Sequence, residues 1–459
     1  MRKKASNPKE RKKKVSVHQA WPLINAHAAG IDLGSREHWV AVPEACAEPN
    51  VRCFGTFTTD LEALADWLKK CGVTSVAMEA TGVYWIPLFQ LLERRGFEVL
   101  LVNARQIKNV SGRKSDVLDC QWIQRLHTYG LLGASFRPAD PYCVVRAYLR
   151  YRDELVAARS TQTQHMQKAL QQMNLQLTQV LSDINGESGL AIIEAVLQGE
   201  RNPLKLAALA NRRVRASRDQ IAKALVGDYR VEYLFQLKTA FELYHTYEAK
   251  IRSCDEELGR QMEQLPDRVD PKAKPLPAKN SSKNLDENLR QSLYLKLGVD
   301  LTAIEGIGAL VALTVLTEVG PDLSRFKTEK HFTSWLGLCP DNRISGGQVL
   351  SCRTRRVVNR LSDALRLSAT TLERSPTALG AYYRRMKAKL GAAEGVTAMA
   401  HKLARILYRL LKYGEEYVRQ GLEEYEQKHR ERKLKQLQKS AESIGFQLIR
   451  KETLAEVVS

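Results

Sequence analysis

Gly30–Val42, GIDLGSREHWVAV, reads as a strand, a polar turn at Ser35–Glu37 and a second strand. Its apolar residues fall where a buried hairpin needs them. Asp32 does not fit that pattern, because it places a carboxylate in the middle of the first strand. The segments after it alternate in type. VRCFGTFTT (51–59) predicts a third strand, and DLEALADWLKKCG (60–72) a helix with Thr59 or Asp60 as N-cap and Gly72 near its end. TSVAMEA (74–80) is a short strand ending on Glu79, and VYWIPLFQLLERRG (83–96) a helix with proline in its first turns. FEVLLVN (97–103) is another strand, and SDVLDCQWIQRLHTYGLL (115–132) a helix that Ser115 caps. The order β-β-β-α-β-α-β-α describes a hairpin sheet extended by parallel strands, with helices on its faces.

The rest of the chain is read as helical. With 459 residues it is too long for one core. Residues 27–140 form the α/β domain, and 141–264 a helical domain with two long amphipathic helices, read as an antiparallel coiled-coil hairpin. Gly186, Gly189 and Pro203 mark breaks between those helices, with short helices near 190–198 and 203–224. Residues 265–295, rich in Pro, Lys, Ser and Asn at their start, read as a linker. A mostly helical domain follows over 296–420, then a basic tail over 421–459. Residues 1–26 form a basic flexible arm containing Lys12, Lys13 and Lys14.

Charge narrows the partner. The formal net charge is +20, and a chain this basic points first to a polyanion, usually nucleic acid. No apolar run approaches the ~18 residues of a transmembrane helix, and the basic N-terminus lacks the apolar core of a secretory signal. The eight cysteines are scattered, with no CxxC and no Cys/His cluster. That argues against structural zinc and a disulfide framework, and it fits a reducing cytosol.

Four carboxylates gather in the α/β domain. Asp32 and Glu79 lie on strands, and Asp116 and Asp119 lie three apart on one helix face. Together they repel one another unless a cation neutralises them. Hard oxygen ligands suit Mg²⁺ or Mn²⁺, and two such ions about 4 Å apart are the usual apparatus of phosphodiester cleavage or transfer. Each residue also has a plainer use: a turn former, a solvated strand end, a partner of the helix dipole, a surface charge. An RNase H-like, metal-dependent nucleic-acid domain accounts for all four at once.

GIDLG (30–34), AMEATGVYW (77–85), VNARQIKNVSGRKSDVLDCQWI (102–123) and GIGALVALTVLTEVG (306–320) with SWLGLCPDNRISGG (334–347) resemble the DEDD transposases of bacterial insertion sequences. These are also called bridge recombinases. The resemblance implies a RuvC-like N-terminal catalytic domain and a distinct C-terminal transposase domain. It makes Asp32, Glu79, Asp116 and Asp119 the Mg²⁺ (or Mn²⁺) ligands, and Ser345 a covalent nucleophile on DNA. It further implies excision and insertion of a mobile element in the bacterial cytoplasm, in association with the nucleoid. The implied partners are donor and target double-stranded DNA, an element-encoded bridge RNA, and further copies of the chain as a dimer or dimer of dimers.

The serine reading also stands on chemistry. Gly346 and Gly347 supply a flexible, exposed seat, and Arg343, Arg353, Arg355 and Arg356 supply cations for a phosphate. A plain SGG turn is the alternative, and Ser351 is the nearest rival. The family usually carries further glycines downstream, whereas this chain reads CRTRRVVNR (352–360), keeping Asn359 but placing Val358 where a glycine is usual. Gly306 and Gly308 resemble half of a helix-hairpin-helix phosphate contact, or form a packing turn. Tyr84, Trp85 and Trp335 offer base stacking, or core. Two other functions compete: a junction resolvase whose carboxylates activate water, and a non-catalytic nucleic-acid binder.

Overall fold

The computed structural model describes residues 22–80, 82–103, 116–277 and 287–447. They fall into two compact units divided between Phe136 and Arg137. The arm lysines Lys12, Lys13 and Lys14 and the expected cap Ser115 lie outside the described residues.

The first unit is a five-stranded sheet: β1 (Ala28–Leu33), β2 (Glu37–Ala41), β3 (Val51–Gly55), β4 (Ser75–Glu79) and β5 (Glu98–Val102). The strand order is β3-β2-β1-β4-β5. β1–β2 and β2–β3 pair antiparallel, while β1–β4 and β4–β5 pair parallel. Helices α1 (Thr58–Lys70) and α2 (Trp85–Arg94) connect β3 to β4 and β4 to β5. They cover one face of the sheet, where Ile31, Leu33, Val40, Val76, Met78 and Leu101 pack against Leu64, Leu68, Leu88 and Leu92. Burying each large aliphatic there stabilises the sheet by about 1.5–3 kcal/mol. Helix α3 (Asp116–Thr128) covers the other face, where Ile123 packs against Ala77 and Val102.

The N-cap expectation for α1 is corrected. Thr59 and Asp60 lie inside the helix, and Phe57 is its N-cap. Asp60 at the third helical position instead accepts the Phe57 N–H at 3.2 Å. An acidic side chain there is equally useful to the exposed amides, which is why sequence alone misplaces the boundary. Gly72 ends the helix as expected, at φ +68°, with Gly72 N bonded to Lys69 O and Val73 N to Leu68 O.

The second unit opens with α4 (Asp140–Gln172), followed by α5 (Glu187–Leu197), α6 (Pro203–Ala208), α7 (Arg218–Ala224) and α8 (Val231–Glu263). Helices α4 and α8 run antiparallel, because Arg152 pairs with Asp255 and Arg159 with Glu248. Gly186 and Pro203 stand at helix starts, and α5–α7 form a cap whose core includes Met166, Leu170, Ile193, Leu206 and Leu237.

Helices α9 (Glu287–Leu297), α10 (Ala309–Glu318) and α11 (Glu329–Trp335) follow, then the two-stranded β6 (Arg343–Ser345) and β7 (Gln348–Ser351). The chain continues through α12 (Arg360–Thr371), α13 (Ala378–Leu390), α14 (Ala392–Tyr413) and α15 (Glu415–Ser443). Arg150 on α4 grips Glu318 on α10 with two bonds of 3.0 and 2.7 Å, so the long hairpin and the C-terminal helices share one unit. The span read as a linker carries α9 from residue 287. Before it, Arg268 N bonds Leu295 O at 2.8 Å, and Arg290 on α9 reaches Pro277 O at 2.8 Å. Low hydropathy there marks exposure, not detachment. Among the described residues no helix is long and apolar enough to cross a membrane.

Helix α3 lies so close to β1 that a Cβ at Gly30 would come within 2.5 Å of Cys120 O and closer still to Gln124 N. Gly30→Ala is therefore expected to push the helix off the sheet and cost about 3 kcal/mol or more, read as a lower urea midpoint at unchanged m-value. Gly96→Ala is the control for a glycine with open space around its Cβ position, where only the φ of +83° is strained.

Candidate functional site

Strand alternation puts Ala28, Gly30 and Asp32 on the face of β1 that α3 covers. Gly30 pairs with Ala77 and Ile31 with Met78 across the parallel β1–β4 ladder. Two residues beyond Gly30 and Ala77 come Asp32 and Glu79, on the same face and at the same end of adjacent strands. Ala77 confirms the side, since it packs against Ile123 of α3. Asp119 precedes Cys120, which is fully buried against β1. Asp32, Glu79 and Asp119 are each half-buried. Asp116 opens α3, and its side chain lies outside the described residues. Among the described residues, no three His, Cys, Asp or Glu side chains stand close enough to hold a metal ion.

The Cys120 thiol reports the field at this spot. Burial, then the negative charge of Asp32 and more weakly that of Asp119, pushes its pKa up to about 12. Two carboxylates from different elements thus act on one buried sulfur. Both are oxygen donors, the type that suits a hard divalent cation.

What holds α3 in place was not read from the sequence. Its sheet-facing stripe is Cys120, Ile123, Gln124, His127 and Thr128, a helical i, i+3, i+4, i+7, i+8 pattern made mostly of polar residues. Each polar member is satisfied. Gln124 Nε2 donates to Thr128 Oγ1 at 2.9 Å and to Ala28 O at 3.4 Å. His127 Nε2 makes a short hydrogen bond to Ser75 Oγ at the start of β4. Burial holds the His127 pKa below its usual value, with Glu98 opposing, so the ring stays neutral near pH 7. An apolar-periodicity search passes over such a stripe; the spacing alone would have found it.

Ser345 lies in the other unit, at the end of β6. Gly346 and Gly347 form the two-residue loop with φ of +55° and +79°. Positive φ at both positions is the type I′ hairpin requirement, so the glycines define a fixed turn as well as an open one. Ser345 pairs with Gln348 and is exposed. Its rival, Ser351, is half-buried, and its Oγ accepts the Arg353 N–H at 3.3 Å. Arg343, Arg353, Arg355 and Arg356 are exposed around the hairpin. Arg355 is partly committed, because its Nη2 donates to Ser334 O and Oγ at 2.8 Å. Asn359 is the N-cap of α12, where its side chain accepts Ser362 N at 3.0 Å.

The remaining candidates separate. Gly306 is a packed turn at φ +86°, against Leu372 and Ser368 of the α12 end, whereas Gly308 is exposed as the N-cap of α10. Trp335 belongs to an aromatic cluster with Phe326 and Phe332, at ring distances of 5.3 and 6.0 Å. Trp85 packs edge-on against Phe89, and Tyr84 is exposed.

Two family models match the chain. A model of DEDD transposases of the IS110 type, described as a transposase, matches residues 29–175. A second, described as the transposase IS116/IS110/IS902 family, matches residues 300–384 and so contains the hairpin. The chain is similar to the "Mini-circle putative transposase for IS117" of Streptomyces coelicolor, at 23% identity over 78% of this chain and 87% of that protein. It is also similar to the "Putative transposase y4pF/y4sB" of Sinorhizobium fredii, at 34% identity over 26% of this chain. That alignment spans 32% of the relative's own length.

Alkylation of the native chain at pH 8 is expected to label the exposed Cys53 and Cys352 and to spare Cys120, whose thiol is buried and raised to about 12. Peptide mass spectrometry reads this directly. Labelling of Cys120 at the rate of Cys352 would contradict the packing of α3 on β1.

Proposed function

The chain belongs to the IS116/IS110/IS902 transposase family, and on that premise we propose that it is a DNA recombinase of a mobile insertion sequence, with two chemically distinct sites. The observation that carries the reading is the placement of Asp32 and Glu79 at the same end of adjacent strands, on the face that α3 covers, with the charges of Asp32 and Asp119 both acting on Cys120. The strand order β3-β2-β1-β4-β5, three antiparallel strands followed by two parallel ones, supports an RNase H-like, RuvC-like domain.

Asp32, Glu79, Asp116 and Asp119 would hold Mg²⁺ or Mn²⁺, which when bound neutralises a phosphate and stabilises the oxygens gaining charge. Ser345 supplies the nucleophile. Its Oγ forms a bond to phosphorus, the P–O3′ bond breaks, the Oγ proton leaves to solvent or a base, and the 3′-oxygen departs as a hydroxyl. The resulting 5′-phosphoserine keeps the bond energy for rejoining to a new strand. The exposed arginines Arg343, Arg353 and Arg356 hold phosphates beside it. Gly308, at the exposed N-terminus of α10, offers a further backbone contact. Gly306 serves the turn.

The formal net charge of +20 suits long phosphate contacts with donor and target DNA and with an element-encoded guide RNA. The arm lysines Lys12, Lys13 and Lys14 belong to that role. Two or four copies of the chain would hold the two duplexes.

The test is a covalent trap on DNA carrying the abutted ends of the element that encodes the chain, with its flanking RNA and Mg²⁺. A denaturation-resistant DNA-linked band is expected from the wild type and none from Ser345→Ala. Asp119→Ala should reduce the band by at least ~100-fold. Cleavage without a band, retained in Ser345→Ala and lost in Asp119→Ala, would establish a water-activating nuclease instead.

A further inference from the structure

The β6–β7 ribbon has two unlike faces. Ser345 and Gln348 stand opposite one another on one face, and Ile344 and Val349 on the other. The register shifts between Arg343 and Ile344, so Leu350 is the extra residue of a bulge. Ile344, Val349 and Leu350 are 61%, 60% and 68% exposed. Three large aliphatics bare on a two-stranded ribbon cannot be its core, since such a ribbon buries nothing by itself.

The ribbon is nonetheless anchored at its base. Pro340 bridges Thr354, Asp341 N bonds Arg353 O at 2.9 Å, Arg355 holds Ser334, and Val357 packs at Gly337. A firm base and a bare apolar tip describe a tool for entering something. Its surroundings say what: Arg343, Arg353 and Arg356 are exposed beside it, and Asp341 is the one carboxylate between residues 336 and 360. A two-stranded ribbon fits a DNA groove, and aliphatic side chains are the ones that proteins insert between base steps.

We propose that Ile344, Val349 and Leu350 form a wedge that enters double-stranded DNA and unstacks the base step beside the phosphate presented to Ser345. The inference rests on the nucleophile reading for its position on the DNA, and on the ribbon alone for its chemistry. Unstacking lets the strand swing out so that an in-line approach to phosphorus opens. The polar face keeps Ser345 and Arg343 on the backbone while the apolar face meets the bases.

The experiment places 2-aminopurine singly at each position across the abutted element ends and adds the full chain with the flanking RNA. Wild type and Ser345→Ala are both expected to raise fluorescence roughly fivefold at one step beside the cleaved phosphate. The triple variant Ile344→Ser, Val349→Ser, Leu350→Ser should abolish that rise while retaining the salt dependence of binding. The conservative Ile344→Leu, Val349→Ile variant should keep the rise, and Arg353→Gln should lower the salt slope without moving it. A rise that persists in the triple variant overturns the wedge. So does a triple variant that differs from wild type only by falling to a smaller oligomer in sedimentation, which would make the apolar face a contact between copies of the chain. A rise without any covalent adduct removes the nucleophile role and leaves the wedge; an adduct without a rise does the reverse.

Discussion

The contact between Gly30 and the backbone of α3 is the constraint on which the first unit turns. With no Cβ on Gly30, the helix backbone at Cys120 and Gln124 settles directly onto β1. That approach brings Asp119 to the level of Asp32, two residues further along the strand. A larger residue would clash with that backbone and hold the helix off the strand. The glycine is needed for close approach and not for an unusual backbone angle, which is a different use from Gly72 or Gly346.

Closeness fixes one coordinate of the helix, and the polar stripe fixes the others. An oily helix face tolerates sliding, because dispersion and burial are nearly the same one residue along. A hydrogen-bonded face does not, because a slip leaves Gln124, His127 and Ser75 buried without partners, at about 1–3 kcal/mol each. Ser75 begins the strand that Glu79 ends, and His127 is the penultimate residue of the helix that Asp116 begins. The bond between them therefore sets the register of the two elements that carry three of the four carboxylates. Stability and site geometry are served by the same atoms.

The sequence carried much of this. The hairpin around the mid-strand Asp32, the strand ending on Glu79 and the helix after Asp116 made the sheet and its crossovers legible from local pattern alone. The exposed seat of Ser345 was likewise legible in the pair of glycines that follow it. Other features were not. Asp60 resembled an N-cap because an acid one turn into a helix satisfies the same amides. Low hydropathy at 265–295 suggested a free linker, whereas Arg268, Arg290 and Lys296 anchor it through their backbone and side chains, Lys296 reaching Leu265 O at 2.6 Å. The α3 stripe was hidden because sequence reading equates buried with apolar. Trp335 and Gly306 each carried two readings, and packing chose the core and the turn.

The serine hairpin shows how one local rule shapes chemistry. A type I′ turn demands positive φ at both loop positions, which the two glycines meet without strain. The same turn fixes the strand register, and register decides which side chains share a face. With the pair Ser345–Gln348 set beside the turn, Ile344 and Val349 must lie opposite. A serine hydroxyl and an apolar surface are thereby held on opposite faces of one ribbon. Replacing either glycine by a residue that rejects positive φ would lengthen or reverse the turn. The serine and the aliphatics would then lose their relation together, although neither had been touched.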